Sequence, residues 1–414
     1  MMKYGAKRFA LLIFLVAFVF RLAVVWETGL FRGLPGRTEV ERIAHSVVAY
    51  GEYGNPYTLH TGATAHSTPV YPLFLAGLFA LFGTGVLTEI VRTTITCAIS
   101  ALRCALVPLF ALDAGLDPRT AALAAGLSVF YIPALETEVR GTTDGAWLAL
   151  VLIAVIWASL RIWRSRSWQS RTSWWFFALC GFAALLDSSI LPLIGGLLMA
   201  GAIACPVGFR KRYLRQVLFL SLSIFLFLLP WAVRNHFTLN KLIWTKSNFG
   251  LEFWMSNGPE RAFDLATNMG DPYLHPSHSV QEARLVQDLG EVRYNQQKME
   301  EAMAWVRANP GEFLHLTFER IVAWWFPPGP NFAVQAAKIC LSLLAFAGLA
   351  FLFRTQPLAA WLFLLTWITY PDVYYVLQWS SRYRFPMEWQ LLMCGSVPLA
   401  IAYGTLTGHF KKTA

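Results

Sequence analysis

Charged side chains, paired cysteines and phosphate-binding glycine motifs are scarce or missing in this chain. Asp, Glu, Lys and Arg make up only 14% of its 414 residues, whereas soluble proteins average about 25%. The six cysteines include no Cys-x-x-Cys pair, which argues against a thiolate zinc site and against a disulfide scaffold. The sequence also has no Rossmann fingerprint, P-loop or nucleophile elbow, so none of the usual nucleotide-binding or hydrolase sites is predicted.

Apolar residues dominate instead, at 56% of the chain with a mean hydropathy of +0.47. A membrane-spanning helix needs about 20 mostly apolar residues, and runs of this kind predict an all-α polytopic membrane protein. The predicted spans are 8–28, 90–112, 120–135, 145–162, 173–187, 188–205, 216–233, 332–353, 357–376 and 388–406. The first run lacks a clear cleavage site, so we interpret it as a retained helix and not as a signal peptide.

The charges of the loops predict the orientation. The run 69–83 is short for a crossing. If it lies in the interface as a juxtamembrane helix, the arginine-rich loop 161–171 falls on the same side as the other basic loops and both termini. This arrangement obeys the positive-inside rule, so we predict about ten spans with cytoplasmic termini. The net charge of +10 then marks cytoplasmic loops, and no nucleic acid is expected as a partner.

Three parts follow from this topology. Residues 1–233 form an N-terminal transmembrane catalytic module with a first external loop at 29–89. Residues 234–331 form an external soluble segment, in which apolar spacing predicts one helix over 280–308. Residues 332–414 form the C-terminal transmembrane helices.

The first external loop carries acids beside the membrane surface. Glu39 and Glu41 begin a predicted helix 39–50, whose apolar face would seat it on the bilayer. The two glutamates point about 200° apart on a helix, so only one can face a site. An acid held there could take a proton from an acceptor hydroxyl; the alternative is that both merely solvate an interfacial helix.

An ordered set of short motifs runs through nearly the whole chain. The motifs are Glu39 before Ile43-Ala-x-Ser46, Gly51-x-Tyr-Gly-Asn-Pro56, Gly62-Ala-Thr-Ala65, Pro69-Val-Tyr-Pro-Leu73, Leu81-Phe-Gly83, Pro230-Trp-x-x-Arg-Asn235, Ser247-Asn-x-Gly-Leu251, Gly290-Glu291, Asn309-Pro310 and Arg382-Tyr-Arg-Phe-Pro386. This set resembles the GT-C membrane glycosyltransferases, specifically glycosyltransferase family 39, the dolichyl-phosphate-mannose-protein mannosyltransferase-like group. The set is specific for the superfamily and not for a substrate.

The resemblance implies a GT-C-like bundle that transfers a sugar, with inversion, from a polyprenyl-phosphate carrier to a hydroxyl acceptor on the external face. The acceptor is a glycan, a lipid or a protein, and the setting we expect is a bacterial inner membrane. The resemblance also places the essential acid in the first external loop. Glu39 is the first candidate and Glu41 the second, because this chain has Glu-Val-Glu where Asp-Glu is commoner.

No metal ligands or cofactors are assigned from the sequence. Related oligosaccharyltransferases bind a metal ion through several carboxylates, and the altered acid pair weakens any such expectation here. A divalent cation therefore stays an open alternative that no ligand cluster supports.

A departing polyprenyl phosphate needs cationic stabilisation, and the guanidinium fork of arginine suits phosphate. The candidates are Arg382 and Arg384, with Tyr383 between them, and Arg234 after the seventh span. On an extended segment both Arg382 and Arg384 would point to one face. The alternative for these side chains is snorkelling to lipid head groups.

Five further residues are candidate contacts of the acceptor or the sugar: Asp144, Arg140, His60, His66 and Tyr71. Asp144 and Arg140 lie in the short external turn 136–144, where a charge at a helix N-terminus is the simpler reading. The two histidines flank the Gly-Ala-Thr-Ala motif and suit phosphate binding or a structural hydrogen bond. Asp187, between two apolar stretches, is interpreted as a helix-boundary residue.

Two other classes of function stay open at this point. One is a lipid or solute transporter, although the polar groups here cluster in external loops, whereas transporters tend to have repeats and midplane polar sites. The other is a catalytically inactive relative that binds carrier lipid, which the altered acid pair keeps open.

Overall fold

The computed structural model describes residues 2–30, 38–140, 144–165 and 171–412. A few side chains within these ranges, that of Arg140 among them, lie outside the description. The α-helices of the described residues are α1 (Met2–Thr28), α2 (Glu39–Tyr50), α3 (Val70–Phe82), α4 (Val86–Ala114), α5 (Pro118–Phe130), α6 (Ile132–Arg140), α7 (Gly145–Ser165), α8 (Arg171–Leu186), α9 (Leu191–Ala204), α10 (Arg210–Leu239), α11 (Phe249–Ser256), α12 (Leu265–Gly270), α13 (Val280–Leu289), α14 (Glu291–Ala308), α15 (Pro310–Trp325), α16 (Phe332–Thr355), α17 (Pro357–Thr369), α18 (Asp372–Val376), α19 (Ser381–Arg384) and α20 (Glu388–Lys412). The described residues contain no β-strand, only two isolated bridges.

The helices confirm an all-α polytopic membrane fold. Five of them, within α1, α4, α7, α10 and α16, are long and apolar enough to cross a membrane by length and composition. The other predicted spans coincide with the shorter helices α5, α8, α9 and α17 and with α20. Helix α3 has 13 residues and stays short, as predicted for the run 69–83.

Three predicted boundaries are wrong, each for a local reason. The span 120–135 ends at Phe130, because Pro133 has no N–H to bond the carbonyl of Val129 and so cannot continue α5. The predicted external turn 136–144 is helical through Arg140. The single helix over 280–308 is two helices, because Gly290 adopts φ +75° and ends α13.

Most of the apolar core lies between the spanning helices. Buried side chains of α4, α7, α8, α9, α16, α17 and α20 form one continuous cluster that includes Phe110, Ile153, Leu193, Phe363 and Trp389. In a bilayer, lipid is as apolar as these side chains, so close packing and small residues hold the helices together. The core thereby supports the loops at one end of the bundle, where the polar residues collect.

Helices α16 and α20 touch backbone to backbone at Gly348. A Cβ added there would overlap the carbonyl oxygen of Cys394, so the two helices would have to separate. We expect Gly348→Ala to lower the free energy of unfolding by about 1–3 kcal/mol or more, the usual cost of overpacking. The measurement is thermal unfolding in detergent, with Gly395→Ala as the matched control.

Gly395 lies at the same interface, where an added Cβ would meet the Leu341 and Leu344 side chains at 3.4–3.5 Å and the Ala345 backbone nitrogen at 3.8 Å, all ordinary contact distances. Alanine also favours a helix over glycine by about 1 kcal/mol, so this control should be neutral or slightly stabilising. Equal losses in both variants would contradict the close approach at Gly348.

The first external loop packs on the protein through α2 and α3. Ile43 and Ala44 of α2 are fully buried, and Val40 and Val47 pack partly buried beside them. Most of the apolar face that was predicted to seat α2 on the bilayer is therefore buried against the protein, and of its residues only Val48 is exposed, at 45%. A capping box begins α2: Thr38 accepts from the Glu41 backbone N–H, and the Glu41 carboxylate accepts from the Thr38 N–H.

Glu291, at the start of α14, connects the soluble segment to the first loop. Its carboxylate accepts hydrogen bonds from the Thr64 hydroxyl, from the Ala65 N–H at 2.8 Å and from the Ser247 hydroxyl at 2.5 Å. Tyr57 of the first loop also belongs to the apolar core of the segment. These contacts place one wall of the cavity described next.

Candidate functional site

A cavity of about 430 Å³ lies between the first loop, the α7 and α9 N-termini, the soluble segment and the α17–α20 connection. Its lining carries acids and bases in close proximity: Glu39, His66, Asp144, Asp187, Lys246, Glu252, His275 and Arg382. Tyr71, Tyr370, Tyr374 and Tyr383 contribute aromatic walls. The cavity therefore combines carboxylates, which can accept protons, with cations, which can bind an anion.

Glu39 lines the cavity at the first turn of α2. Its Oε1 accepts a 2.5 Å hydrogen bond from the Ser277 hydroxyl and lies 3.8 Å from His275 Nδ1. Burial by itself would raise the pKa of Glu39, but His275 and His66, which are protonated at the low pH where Glu39 titrates, and the Ser277 hydrogen bond lower it to about 2. Glu39 is therefore ionised at neutral pH and oriented by the soluble segment.

Two buried histidines stand next to Glu39. Burial lowers the pKa of His275 to about 4, although the Glu39 charge opposes this, and burial also lowers the pKa of His66. The Ser277 N–H donates to His275 Nδ1 at 3.1 Å, so the neutral ring carries its proton on Nε2. His66 Nδ1 hydrogen-bonds the Tyr57 hydroxyl at 3.0 Å. At neutral pH both rings are uncharged.

The pKa of His275 predicts a loss of stability on acidification. The folded-state pKa, about 4, lies below the ordinary value of 6.5, so unfolding takes up a proton between these values. The resulting stability is present above pH 6.5 and is lost as the pH falls to 4, by up to about 3 kcal/mol. We expect His275→Asn to reduce the fall of the melting temperature between pH 6.5 and 4, and the remaining fall to include the contribution of His66, whose pKa is also lowered.

His45→Asn is the control for this measurement, because His45 is exposed on α2. It should keep the wild-type slope. A wild-type melting temperature that stays constant from pH 6.5 to 4 would contradict the burial of a neutral His275.

Arg382 is the arginine of the predicted pair that lines the cavity. Its Nη2 donates to the Tyr383 hydroxyl at 2.8 Å, and its Cζ lies 4.8 Å from the centroid of that ring. Tyr383 in turn stacks on Tyr374 at 4.5 Å, and Tyr374 stacks on Trp324 at 5.5 Å. This column of rings holds an exposed guanidinium at the cavity by stacking.

Arg384 does not share that face, and the prediction of an extended segment is wrong. Residues 381–384 form the helical turn α19, in which positions two apart point in different directions. Arg384 is 1% exposed, donates to Ser342 Oγ at 3.0 Å and lies 3.9 Å from Glu388 Oε1. It is outside the cavity lining and packs between α16 and α20.

Arg234 is also away from the cavity lining. Its two Nη atoms donate to the backbone carbonyls of Thr64 and Tyr53 at 2.6 Å each. The guanidinium stacks near Tyr53 and Trp231 as well. Its fork is used to support the first loop, so the structure does not bring this predicted phosphate ligand to the cavity.

A second polar cluster also lines the cavity. Lys246 Nζ donates to Asp187 Oδ2 at 2.8 Å, and the Ser189 N–H donates to Asp187 Oδ1 at 2.8 Å. Burial and the neighbouring Asp187 raise the pKa of Asp144. Asp187 is a helix-boundary residue as interpreted, capping the turn at Ser188, and it also lines the cavity.

Of the other predicted site residues, some line the cavity and others support the structure around it. Tyr71 and His66 line the cavity, whereas His60 hydrogen-bonds Asn55 at 3.2 Å and contacts the Tyr50 ring outside it. Glu41 is buried as the capping residue of α2 and is not among the lining residues. The side chain of Arg140 lies outside the described part of the chain.

Sequence reasoning missed Lys246, Glu252 and His275, which line the cavity, and Ser277, which donates to Glu39. Lys246 directly precedes the Ser-Asn-x-Gly-Leu motif and Glu252 directly follows it, so this motif was a usable signal. His275 and Ser277 lie in a Pro- and Ser-containing loop between α12 and α13 without any motif. Only the docking of that loop onto α2 reveals them.

Comparison of the fold with solved structures finds likenesses at low sequence identity. Oligosaccharyltransferase AglB from Archaeoglobus fulgidus, in complex with an inhibitory peptide and a dolichol-phosphate, superimposes with a TM-score of 0.54 at 14% identity, over 99% of this chain and 52% of that one. The apo form of the A. fulgidus oligosaccharyltransferase gives a TM-score of 0.56, also at 14% identity with 99% and 52% coverage. ArnT from Cupriavidus metallidurans bound to undecaprenyl phosphate gives only 0.40, at 14% identity with 94% and 77% coverage.

The two oligosaccharyltransferase structures establish the fold class: this chain shares their fold, the GT-C fold. It spans about half the length of the oligosaccharyltransferase chains that it matches. No protein-family model matches the sequence, and no curated protein matches it either. The glycosyltransferase family 39 grouping therefore stays a resemblance of motifs.

Proposed function

We propose that this protein transfers a sugar, with inversion, from a polyprenyl-phosphate carrier to a hydroxyl acceptor on the external face of the membrane. The observation that carries the proposal is that one cavity contains both an oriented carboxylate, Glu39, and an exposed guanidinium, Arg382. A transfer of this kind needs a base for the acceptor and a cation for the leaving phosphate.

The proposed step uses the chain's own side chains. The acceptor oxygen forms a bond to the anomeric carbon while the bond from that carbon to the carrier phosphate oxygen breaks. Glu39 takes the hydroxyl proton, and the lipid phosphate leaves with the electron pair. Because Glu39 is ionised at neutral pH, it is ready to accept that proton.

Arg382 suits the leaving group because its charge is permanent and its stacking on Tyr383 fixes its orientation. Lys246 supplies a second cation at the same cavity. His66 and His275 are neutral at working pH and are suited to hydrogen-bond the sugar or the acceptor. The likeness to AglB, whose complex contains a dolichol-phosphate, agrees with a lipid-carried donor.

The test is transfer of label from a panel of radiolabelled polyprenyl-phosphate sugars. Membranes with wild-type protein, with Glu39→Gln or without the protein are incubated with each donor, and label is followed into lipid, polymer and protein fractions. Transfer by the wild type alone would identify the donor and the class of acceptor. Folded protein that binds carrier lipid but transfers no sugar would favour the inactive-relative hypothesis, and uptake of solute or lipid would favour a transporter.

A further inference from the structure

The fold class raises the question of a metal ion, and the described residues do not supply its ligands. Among them, no group of three or more His, Cys, Asp and Glu side chains is arranged to hold a metal ion. Three of the four carboxylates that line the cavity are instead engaged by the protein. Glu39 accepts from Ser277, Glu252 accepts from Asn248 and Gln378, and Asp187 accepts from Lys246 and the Ser189 N–H.

Lys246 places a positive charge beside the acidic side chains of the cavity. Its ammonium is 2.8 Å from Asp187, and both side chains line the cavity together with Asp144. The charges of the two aspartates both act on it and raise its pKa, although burial opposes this. A protonated amine with three donors can therefore contact the Asp187 carboxylate and still present a donor to the cavity.

We infer that the Lys246 ammonium is the built-in cation of this cavity, balancing Asp187 and Asp144 and meeting the phosphate of the donor, so that transfer needs no divalent metal ion. A lysine binds phosphate as a point charge, and together with Arg382 it places two cations on the cavity lining. The contact with the donor phosphate and the metal-free transfer rest on the proposed function, whereas the charge balance between Lys246 and the two aspartates does not.

Removing the ammonium should convert the aspartate pair into a cation site. Without Lys246, the Asp187 and Asp144 carboxylates line the same cavity without an ammonium beside them, and oxygen ligands of this type bind Mn²⁺ or Mg²⁺. We expect Lys246→Ala to bind Mn²⁺ in titrations followed by electron paramagnetic resonance, whereas the full-length wild type in detergent binds none at this site. The double variant Lys246→Ala/Asp187→Asn should lose the binding again.

Lys241→Ala is the matched control, because Lys241 is exposed on the same connection between α10 and α11. It should resemble the wild type in every measurement. Lys246→Gln, which keeps a long side chain, is measured in parallel in case the alanine variant does not fold, and gel filtration verifies the folded fraction of each protein.

The activity readout uses the donor identified by the label panel. Wild-type transfer should be unchanged by EDTA, and Lys246→Ala should lose at least about tenfold in rate, as expected for loss of a charge-stabilising group, and recover part of it with Mn²⁺. Three results would each overturn the inference. They are Mn²⁺ binding to the wild type at this site, inhibition of the wild type by EDTA, and the absence of Mn²⁺ binding in both Lys246→Ala and Lys246→Gln. Absence of transfer in all proteins would instead refute the proposed function and leave the Mn²⁺ titration to decide the inference.

Discussion

Replacing Glu39 by glutamine should lower the rate constant of sugar transfer by a factor of about 10² to 10⁴, the range for loss of a general base. Glutamine keeps the size of the side chain and can still accept the 2.5 Å hydrogen bond from Ser277. It cannot take a proton from the acceptor hydroxyl. We therefore expect a large loss of turnover with little change in donor affinity, thermal stability or abundance in the membrane.

The measurement is single-turnover transfer of labelled sugar at saturating donor, with Glu300→Gln as the exposed-glutamate control. Glu41→Gln separates the two candidates from the first loop. Because Glu41 completes the capping box of α2, its loss should reduce stability, with caps contributing about 0.5–2 kcal/mol, and leave turnover of the folded protein nearly intact. Full activity in Glu39→Gln together with inactive, folded Glu41→Gln would show that Glu41 is the base.

Arg382→Ala should lower the rate of sugar transfer, whereas Arg384→Ala should lower the stability of the protein. Arg382 is exposed at the cavity, so its removal should cost transfer a factor of about 10²–10³, by analogy with the loss of one charge-stabilising donor. The folded protein should remain abundant. Arg384 is buried with Glu388 and Ser342, so its removal strands a buried carboxylate and should destabilise the protein by about 3–5 kcal/mol.

Transfer rate per folded molecule and melting temperature, measured on the same preparations, distinguish these outcomes. Arg382→Lys is the conservative control: it keeps the charge but loses the planar contact with Tyr383, so an intermediate rate is expected. Two results would contradict the assignment of Arg382 to the cavity and of Arg384 to structural support. One is wild-type turnover in Arg382→Ala, and the other is a stable Arg384→Ala protein that transfers no sugar.

The outcome for the arginines shows why the site could be predicted only in part. Motif resemblance pointed to Glu39 and to the 382–384 segment, and the structure brings Glu39, Arg382 and Tyr383 to one cavity. It could not decide between Arg382 and Arg384, because the choice depends on whether the backbone is extended or helical there. One short turn, α19, places the first at the cavity and the second between two helices.

His275 and Ser277 lay beyond prediction for a related reason. They belong to a soluble segment whose helices are short, and its contact with the first loop runs through Glu291 and Tyr57. Contacts between residues more than 200 positions apart, such as Ser277 with Glu39, leave no periodic signal in a sequence. Their discovery required the packed structure.

The sequence by itself determined the membrane class, the helical architecture and the approximate position of most spans, because hydrophobic runs respond directly to the bilayer and each helix satisfies its own backbone. It also determined that the polar groups collect in a few loops between those spans. Tertiary structure alone decided which charged side chains share a cavity, because the direction of a side chain depends on caps, glycine breaks and docking between distant loops. For that reason Glu39 and Arg382 line the cavity, whereas Glu41, Arg234 and Arg384 support the structure around it.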